Sequence, residues 1–189
     1  MKKQKTKKQK TILFITGNMN KLREAREILT DFNVMNKKID LPELQGEPVE
    51  IVEEKTKVAL KLLKKPVIVE DTNLRFNALN GLPGPYIKDF LHKLGMNGLW
   101  ELLSGKKDKN AYAAALIGYG EPGGKVKVFE GKVLGTIVKP CGDSHFGWDP
   151  IFKPKGSKKT FAQMSAEEKN KISHRKKAFI KLKKYLDNK

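Results

Sequence analysis

The sequence predicts an α/β protein in which a mixed β-sheet flanked by helices is drawn into two lobes around a cleft. Three observations predict it. Two strand–helix–strand patterns fill the first part of the chain, and short apolar runs alternating with Gly-rich turns follow. The C-terminal stretch then returns to helical spacing.

Taken in order, Thr11–Thr16 is a β-branched apolar run and reads as a strand, with Gly17-Asn18 as its turn. Leu22, Ala25, Leu29 and Phe32 then recur at helical spacing, and Phe32–Ile39 forms a second strand pattern. A loop punctuated by proline and glycine, Leu41–Pro48, leads to a helix marked by Ile51, Lys55, Val58, Ala59 and Leu62. Pro66 opens the apolar run Val67-Ile68-Val69. Leu74–Leu79, Ala111–Tyr119, Lys125–Glu130 and Lys132–Val138 read as strands, the last three as a meander. Between them Pro85–Leu94 and Asn97–Leu103 read as helices. Ser165–Leu186 is helical, as one helix or two, with Ala178, Phe179, Leu182 and Tyr185 along one face.

A chain of 189 residues with 39% apolar content supports one sizeable core. The expected organisation is a basic arm over residues 1–10 and a single domain over 11–189. Six of the first ten residues are lysine, and from Lys155 onward twelve Lys and Arg meet three acidic residues. The net charge of +18 attracts polyanions, whether nucleotides, nucleic acid or acidic lipid. The single cysteine, Cys141, excludes an internal disulfide and speaks against a structural zinc site. No apolar run has the length of a bilayer span, and the lysine-rich start lacks the apolar segment of a secretory signal. A soluble cytoplasmic protein is expected, with nuclear access left open by the basic arm.

Several segments hold residue types that chemistry could use, and each has a bland alternative. Thr16-Gly17-Asn18-Met19-Asn20-Lys21 lies between a strand and a helix, where backbone N–H groups, a glycine and a lysine make a phosphate cradle. The same six residues also suit an ordinary turn. Glu70-Asp71-Thr72 follows an apolar strand, where adjacent carboxylates suit a magnesium ion or simply solvate a strand end. Glu43 could add an oxygen. Pro85 suits a helix start and would put Lys88 about one turn in, near the positive end of the helix dipole or merely in water. Phe146-Gly147-Trp148-Asp149 offers aromatic faces and a carboxylate, for a purine or for core packing. Ser165 and Glu168 form a capping box, and Lys169, His174 and Arg175 follow as donors or as basic surface.

The strings TGNMNK, LPELQGEP, VEDT, FNALNGLPGPYIK, FGWDP and EKNKISHR, in this order, resemble the inosine triphosphate pyrophosphatase family from about Ile12 to Leu186. LPELQGEP and GLPGPYIK are closer to its eukaryotic and archaeal branch. The resemblance implies an elongated mixed sheet, a homodimer, and magnesium-dependent cleavage of inosine, deoxyinosine and xanthosine triphosphates to monophosphate and pyrophosphate, with manganese as an alternative ion. Carried over by position, Thr16 to Lys21 hold the triphosphate with Lys55, Thr72 and Lys88. Glu43 and Asp71 hold the metal; Asp71 is also the general base and Glu70 its supporting carboxylate. Phe146 stacks on the base, Gly147, Trp148 and Asp149 line its pocket, and Lys169, His174 and Arg175 read its oxygen edge. The competing expectation, from charge alone, is a nucleic-acid-binding protein. For an enzyme of this family nucleic acid is not required, and the arm would bind it weakly and without specificity.

Overall fold

The first strand, β1 (Lys10–Ile15), buries Ile12, Phe14 and Ile15 and lies inside the sheet. It runs parallel to β2 (Phe32–Lys37) on one side and to β3 (Val67–Phe76) on the other. The computed structural model describes residues 9–143 and 147–189. Among these, seven strands form one mixed sheet in the order β2-β1-β3-β5-β6-β7, with β4 (Pro83–Gly84) paired to the far end of β3. The long strands β5 (Asn110–Gly120) and β6 (Lys127–Ile137) are antiparallel neighbours, and β7 (Phe152–Pro154) closes the edge. The α/β class and mixed sheet read from the sequence are those of the structure.

Strand alternation sorts the core into layers. Ile68 and Ile117 face the helices α1 (Met19–Ile28) and α5 (His174–Asp187), which bury Leu22, Ala25, Phe179 and Leu182 against them. Val67, Val69 and Leu116 face α2 (Pro48–Leu63), which contributes Val52 and Ala59. A separate cluster lies at the far end of the sheet, where α3 (Ile87–Glu101) places Ile87 and Leu99 on Leu74, Phe76, Phe152 and Phe161. These are the two lobes.

Four elements differ from the sequence reading. Leu74–Leu79 is not a strand of its own: Leu74–Phe76 are the end of β3 and Asn77–Leu79 form a 3-10 turn. Glu70-Asp71-Thr72 does not follow a strand but lies within β3, which continues to Phe76 and pairs with β5 throughout. The polar triplet is tolerated there because β1 stops opposite Val69, leaving the next residues beside an open cleft. Lys125–Glu130 and Lys132–Val138 are not two strands but one, with Gly131 in its middle. The glycine admits a helix rather than making a turn, since a Cβ on it would lie 2.0 Å from the His174 carbonyl oxygen and 2.4 Å from the Ala178 nitrogen of α5. The helices read at Pro85–Leu94 and Asn97–Leu103 join into α3 across a break at Gly95, whose φ of 65° interrupts the helix. That helix starts at Ile87, so Lys88 belongs to its first turn and Pro85 precedes it.

The C-terminal segment is two helices. Ser165 opens α4 (Ala166–Ile172) with the predicted capping box, its Oγ accepting from the Glu168 N–H at 3.1 Å. Ser173 ends α4 and caps α5, accepting from the Lys176 N–H at 3.1 Å. A hydroxyl cap of this kind contributes about 1 kcal/mol. The break puts His174 and Arg175 in the first turn of α5.

Candidate active site

The cleft begins where β1 ends. The Thr16 hydroxyl accepts from the Asn18 N–H at 3.0 Å, and the Asn18 side chain caps α1 by accepting from the N–H groups of Asn20 (3.0 Å) and Lys21 (3.3 Å). Gly17, Met19 and Asn20 are exposed on this turn. The Asn18 side-chain Oδ1 thus holds the place an anion would take on these N–H groups. Lys21 points inward, its ammonium 3.7 Å from Glu70.

Because Glu70 and Asp71 are successive residues of a strand, they face opposite sides of the sheet and do not compete for one cation. Glu70 lies on the α5 side with its side chain 1% exposed. It accepts from Arg175 Nε at 2.7 Å and from the Thr72 hydroxyl at 3.1 Å. Burial pushes its carboxyl up, but Arg175 and Lys21 outweigh burial and hold it below the ordinary range. Arg175 is itself 1% exposed and also donates through Nη1 to Glu24 at 3.1 Å. Burial works against the guanidinium charge, and the two carboxylates overcome it. Removing one member of such a buried pair costs about 3–5 kcal/mol, because a charge is left without its partner. Arg175 therefore anchors Glu70 and Glu24 in addition to bordering the cleft.

Asp71 lies on the α2 side. Its Oδ2 accepts from Lys55 Nζ at 3.0 Å and its Oδ1 from the Thr72 N–H at 3.0 Å. The same Lys55 ammonium reaches Glu43 Oε2 at 3.2 Å, and Lys88 reaches Glu43 Oε1 at 3.3 Å. Burial raises the Glu43 carboxyl, but the two ammonium groups win and depress it. Lys55 is the mirror case, with burial opposed and outweighed by Asp71 and Glu43, so its ammonium is held protonated. Glu43 sits on the loop before α2, and that loop is tied down by the Gly46 N–H donating to the Tyr86 hydroxyl at 3.2 Å and by Arg75 pairing with Glu47 at 2.9 Å.

On the other side of the cleft, Trp148 is buried between Phe152 and the His174 ring, whose centroid lies 5.5 Å away at 31°. Gly147 is exposed beside it. Asp149, 2% exposed, pairs with Lys169, and burial outweighs that lysine to raise its carboxyl above the usual value. His174 is 2% exposed, and among the described residues neither ring nitrogen has a hydrogen-bond partner. Burial first, then the charges of Arg175 and Lys169, push its pKa well below the ordinary value, so the ring is neutral. A buried imidazole without partners costs free energy that a polar ligand would recover. Phe146, assigned the stacking role, lies outside the described residues.

These groups line two cavities that share a wall. A slot of about 370 Å³ is bordered by Asn18, Lys21, Trp148, His174 and Arg175, with Ile87 and Leu91 supplying apolar surface. A second cavity of about 330 Å³ is bordered by Glu43, Lys55, Glu70 and Tyr86. Asp71, Thr72 and Lys88 line both. Asp149 and Lys169 line neither; they border a smaller hollow of about 180 Å³ together with Asn20 and Glu24. Among the described residues no three His, Cys, Asp or Glu side chains cluster as a metal cage. Sequence reasoning missed Glu24, Tyr86, Ile87 and Leu91. Helical spacing from Lys21 would have placed Glu24 on the neighbouring turn, whereas nothing local marks the Tyr86 hydrogen bond, which joins residues 40 apart.

The chain matches the model of the Ham1 family over residues 12–185. Among solved structures, the Ham1 protein of Staphylococcus aureus is 31% identical, with 95% of this chain and 99% of that chain covered at a TM-score of 0.82. A HAM1 protein from Coxiella burnetii is 26% identical, with 95% and 100% covered and a TM-score of 0.86. A nucleoside-triphosphatase, dITP/XTP pyrophosphatase, from Mycobacterium abscessus is 27% identical, with 91% and 98% covered and a TM-score of 0.74.

Proposed function

The chain belongs to the Ham1 family, and from that premise we propose that it hydrolyses deaminated purine nucleoside triphosphates to monophosphate and pyrophosphate. One observation carries the reading: an apolar slot ending in a neutral histidine adjoins a cavity of lysines and carboxylates, and Asp71, Thr72 and Lys88 belong to both. A nucleotide is such a molecule, a planar base joined to a polyanion, with the α-phosphorus between the two.

In this proposal the base enters beside Trp148 and His174, and Lys21, Lys55 and Lys88 face the triphosphate. Asp71 is fixed by Lys55 and the Thr72 N–H at the shared wall, where it takes a proton from a water. That water's oxygen bonds to the α-phosphorus as the bond from phosphorus to the bridging oxygen breaks, and pyrophosphate carries the bridging oxygen away. Glu70 acts at one remove by holding Lys21 and Thr72 in place. Positioning and charge stabilisation supply most of the rate in such transfers.

The donor set suits magnesium, which usually binds through one or two carboxylates plus substrate phosphates and keeps some waters. Glu43 and Asp71 would hold the ion, and when bound it would neutralise charge on the polyphosphate oxygens. Manganese accepts the same oxygens. Lys55 now balances both carboxylates and would turn toward phosphate as they engage the ion.

Base choice rests on His174. An imidazole that presents its N–H to the slot is satisfied by a 6-keto oxygen, while the 6-amino group of adenine leaves that donor buried and unpaired. Homodimeric assembly and a cytoplasmic location complete the reading and are carried by the family resemblance.

The test is to incubate the protein with magnesium and, separately, inosine, deoxyinosine, xanthosine, guanosine and adenosine triphosphates, and to identify both products. Monophosphate plus pyrophosphate from the first three is expected. Release of orthophosphate, or equal turnover of adenosine triphosphate, defeats the proposal.

A further inference from the structure

Away from the cleft, a cavity of about 630 Å³ forms an open hollow at the other end of the sheet, between the C-terminal half of α2 and the turn from β5 to β6. Lys57, Lys61 and Lys64 line it from the helix and Lys125 from the turn. A small hollow adjoins it through Glu121, and that one is lined by Lys10 and Lys189. Six lysines thus meet two glutamates, Glu53 and Glu121. Glu121 is already occupied by Lys189 and the Tyr119 hydroxyl. Lys57 pairs with Glu54, whereas Lys61, Lys64 and Lys125 are exposed and carry no ion pair among the described residues. Lysines held near one another without counter-charges repel, and a phosphate-rich partner relieves that repulsion.

Position separates this pole from the cleft. Lys10 opens β1 and the Thr16 turn follows its end, so the two sites lie about 20 Å apart at the rise of an extended strand. The sequence before Gln9 carries Lys2, Lys3, Lys5, Lys7 and Lys8. We propose that this hollow is a second binding surface, which grips the phosphate backbone of a nucleic-acid duplex independently of its sequence and of the nucleotide in the cleft.

The walls decide between polyanions. Among the described residues the larger hollow has no aromatic lining residue on which unpaired bases could stack, which disfavours a single strand there. Lysines facing one another across a concave groove fit a raised line of phosphates, whereas a flat layer of lipid headgroups meets only the rims.

The experiment follows fluorescence anisotropy of a labelled mixed-sequence duplex titrated with the full chain over a salt series. Lys61→Gln/Lys64→Gln/Lys125→Gln is expected to bind at least tenfold more weakly at low salt, with a log–log salt slope shallower by about 0.9 for each phosphate that is no longer neutralised. Its release of pyrophosphate from inosine triphosphate stays at the wild-type rate. The proposal is overturned if the triple variant keeps wild-type affinity and slope while deletion of residues 1–8 abolishes binding. Displacement of the duplex by inosine triphosphate with magnesium would also overturn it, because the cleft would then be the binding site. So would tighter binding, through the same three lysines, to phosphatidylserine vesicles than to the duplex.

Discussion

Two neighbouring carboxylates, Glu70 and Asp71, differ in what they can do because β3 turns them to opposite faces. Glu70 is enclosed by Arg175, Lys21 and Thr72, which suits it to holding other groups in place. Asp71 borders both cavities and stays open to solvent, so a water can approach it. Asp71→Asn retains the size of the side chain and removes its basicity. Turnover is expected to fall by about 10² to 10⁴, the usual worth of general-base help, with an unchanged circular dichroism spectrum. A folded variant with wild-type turnover would remove Asp71 from that role. His174 gives a second prediction at this scale. Its folded pKa lies well below the ordinary 6.5, so below pH 6.5 the unfolded chain binds a proton that the folded one refuses. Its contribution to stability is therefore intact above pH 6.5 and is lost as pH falls below it, at no more than about 1.4 kcal/mol per pH unit for one proton. Urea unfolding from pH 7.5 down to 5 should show this decline in the wild type and a smaller one in His174→Gln. The raised Asp149 carboxyl acts with the opposite sign, adding stability as pH falls toward the ordinary 3.8, and is common to both proteins. Parallel curves would mean that the histidine does not titrate as its burial dictates.

Among the elements, α5 matters most to the site, because its first turn brings His174 to Trp148 and Arg175 to Glu70. Its close approach to the sheet is set by Gly131, over which the His174 carbonyl and Ala178 nitrogen lie. Gly131→Ala forces that turn outward, and overpacking of this kind costs about 1–3 kcal/mol. If the turn also positions the base, the preference for inosine over adenosine triphosphate in kcat/KM should fall by about tenfold, the equivalent of one hydrogen bond. Leu182→Ala, farther along the same helix, lowers stability by about 2–5 kcal/mol through a cavity but should leave that preference intact. An equal loss of preference in both variants would reduce Gly131 to a stability role. The glycine also shows where the sequence was legible. The strands β1, β2 and β5, the helical faces and the Ser165 capping box rest on local periodicity and local hydrogen bonds, and these could be read. Gly131 looked like a turn because its reason lies 43 positions away, in the carbonyl of His174. The polar triplet looked like a strand end because nothing in its neighbourhood reveals that β5 continues to pair with it. Glu43, Lys55, Asp71 and Lys88 were named from motifs and do meet, but their order through Lys55, and the division of Glu70 from Asp71 by the pleat, follow only from the assembled sheet.

At the scale of the whole molecule, the cleft is built from parts that belong to different cores. Glu43 and Lys55 come with α2 and Lys21 with α1, whereas Lys88 and Trp148 come with the far cluster around α3. His174 starts a helix anchored in the first lobe and rests its ring on Trp148 and Phe161 of the second. A ligand filling both cavities therefore cross-links the lobes, and its binding energy adds to the stability of both. Under the proposed function the metal alone would have less to offer, because Lys55 and Lys88 already balance Glu43 and Asp71 and an ion arriving without phosphates would have to displace an ammonium that then has no partner. Magnesium by itself should therefore barely move the thermal midpoint. Magnesium with a non-hydrolysable inosine triphosphate analogue should raise it strongly, since a ligand at a hundred times its Kd adds about 2.7 kcal/mol. The analogue without magnesium should give an intermediate shift, carried by the three lysines and the base slot. Thermal unfolding followed in these three conditions, and repeated with Lys55→Met, separates the contributions. In that variant Asp71 loses its counter-charge and Glu43 keeps only Lys88, so magnesium alone becomes stabilising while the gain from nucleotide shrinks. If magnesium alone stabilises the wild type as much as the pair does, Lys55 does not stand in for the ion and the coupling drawn between the two cavities is wrong.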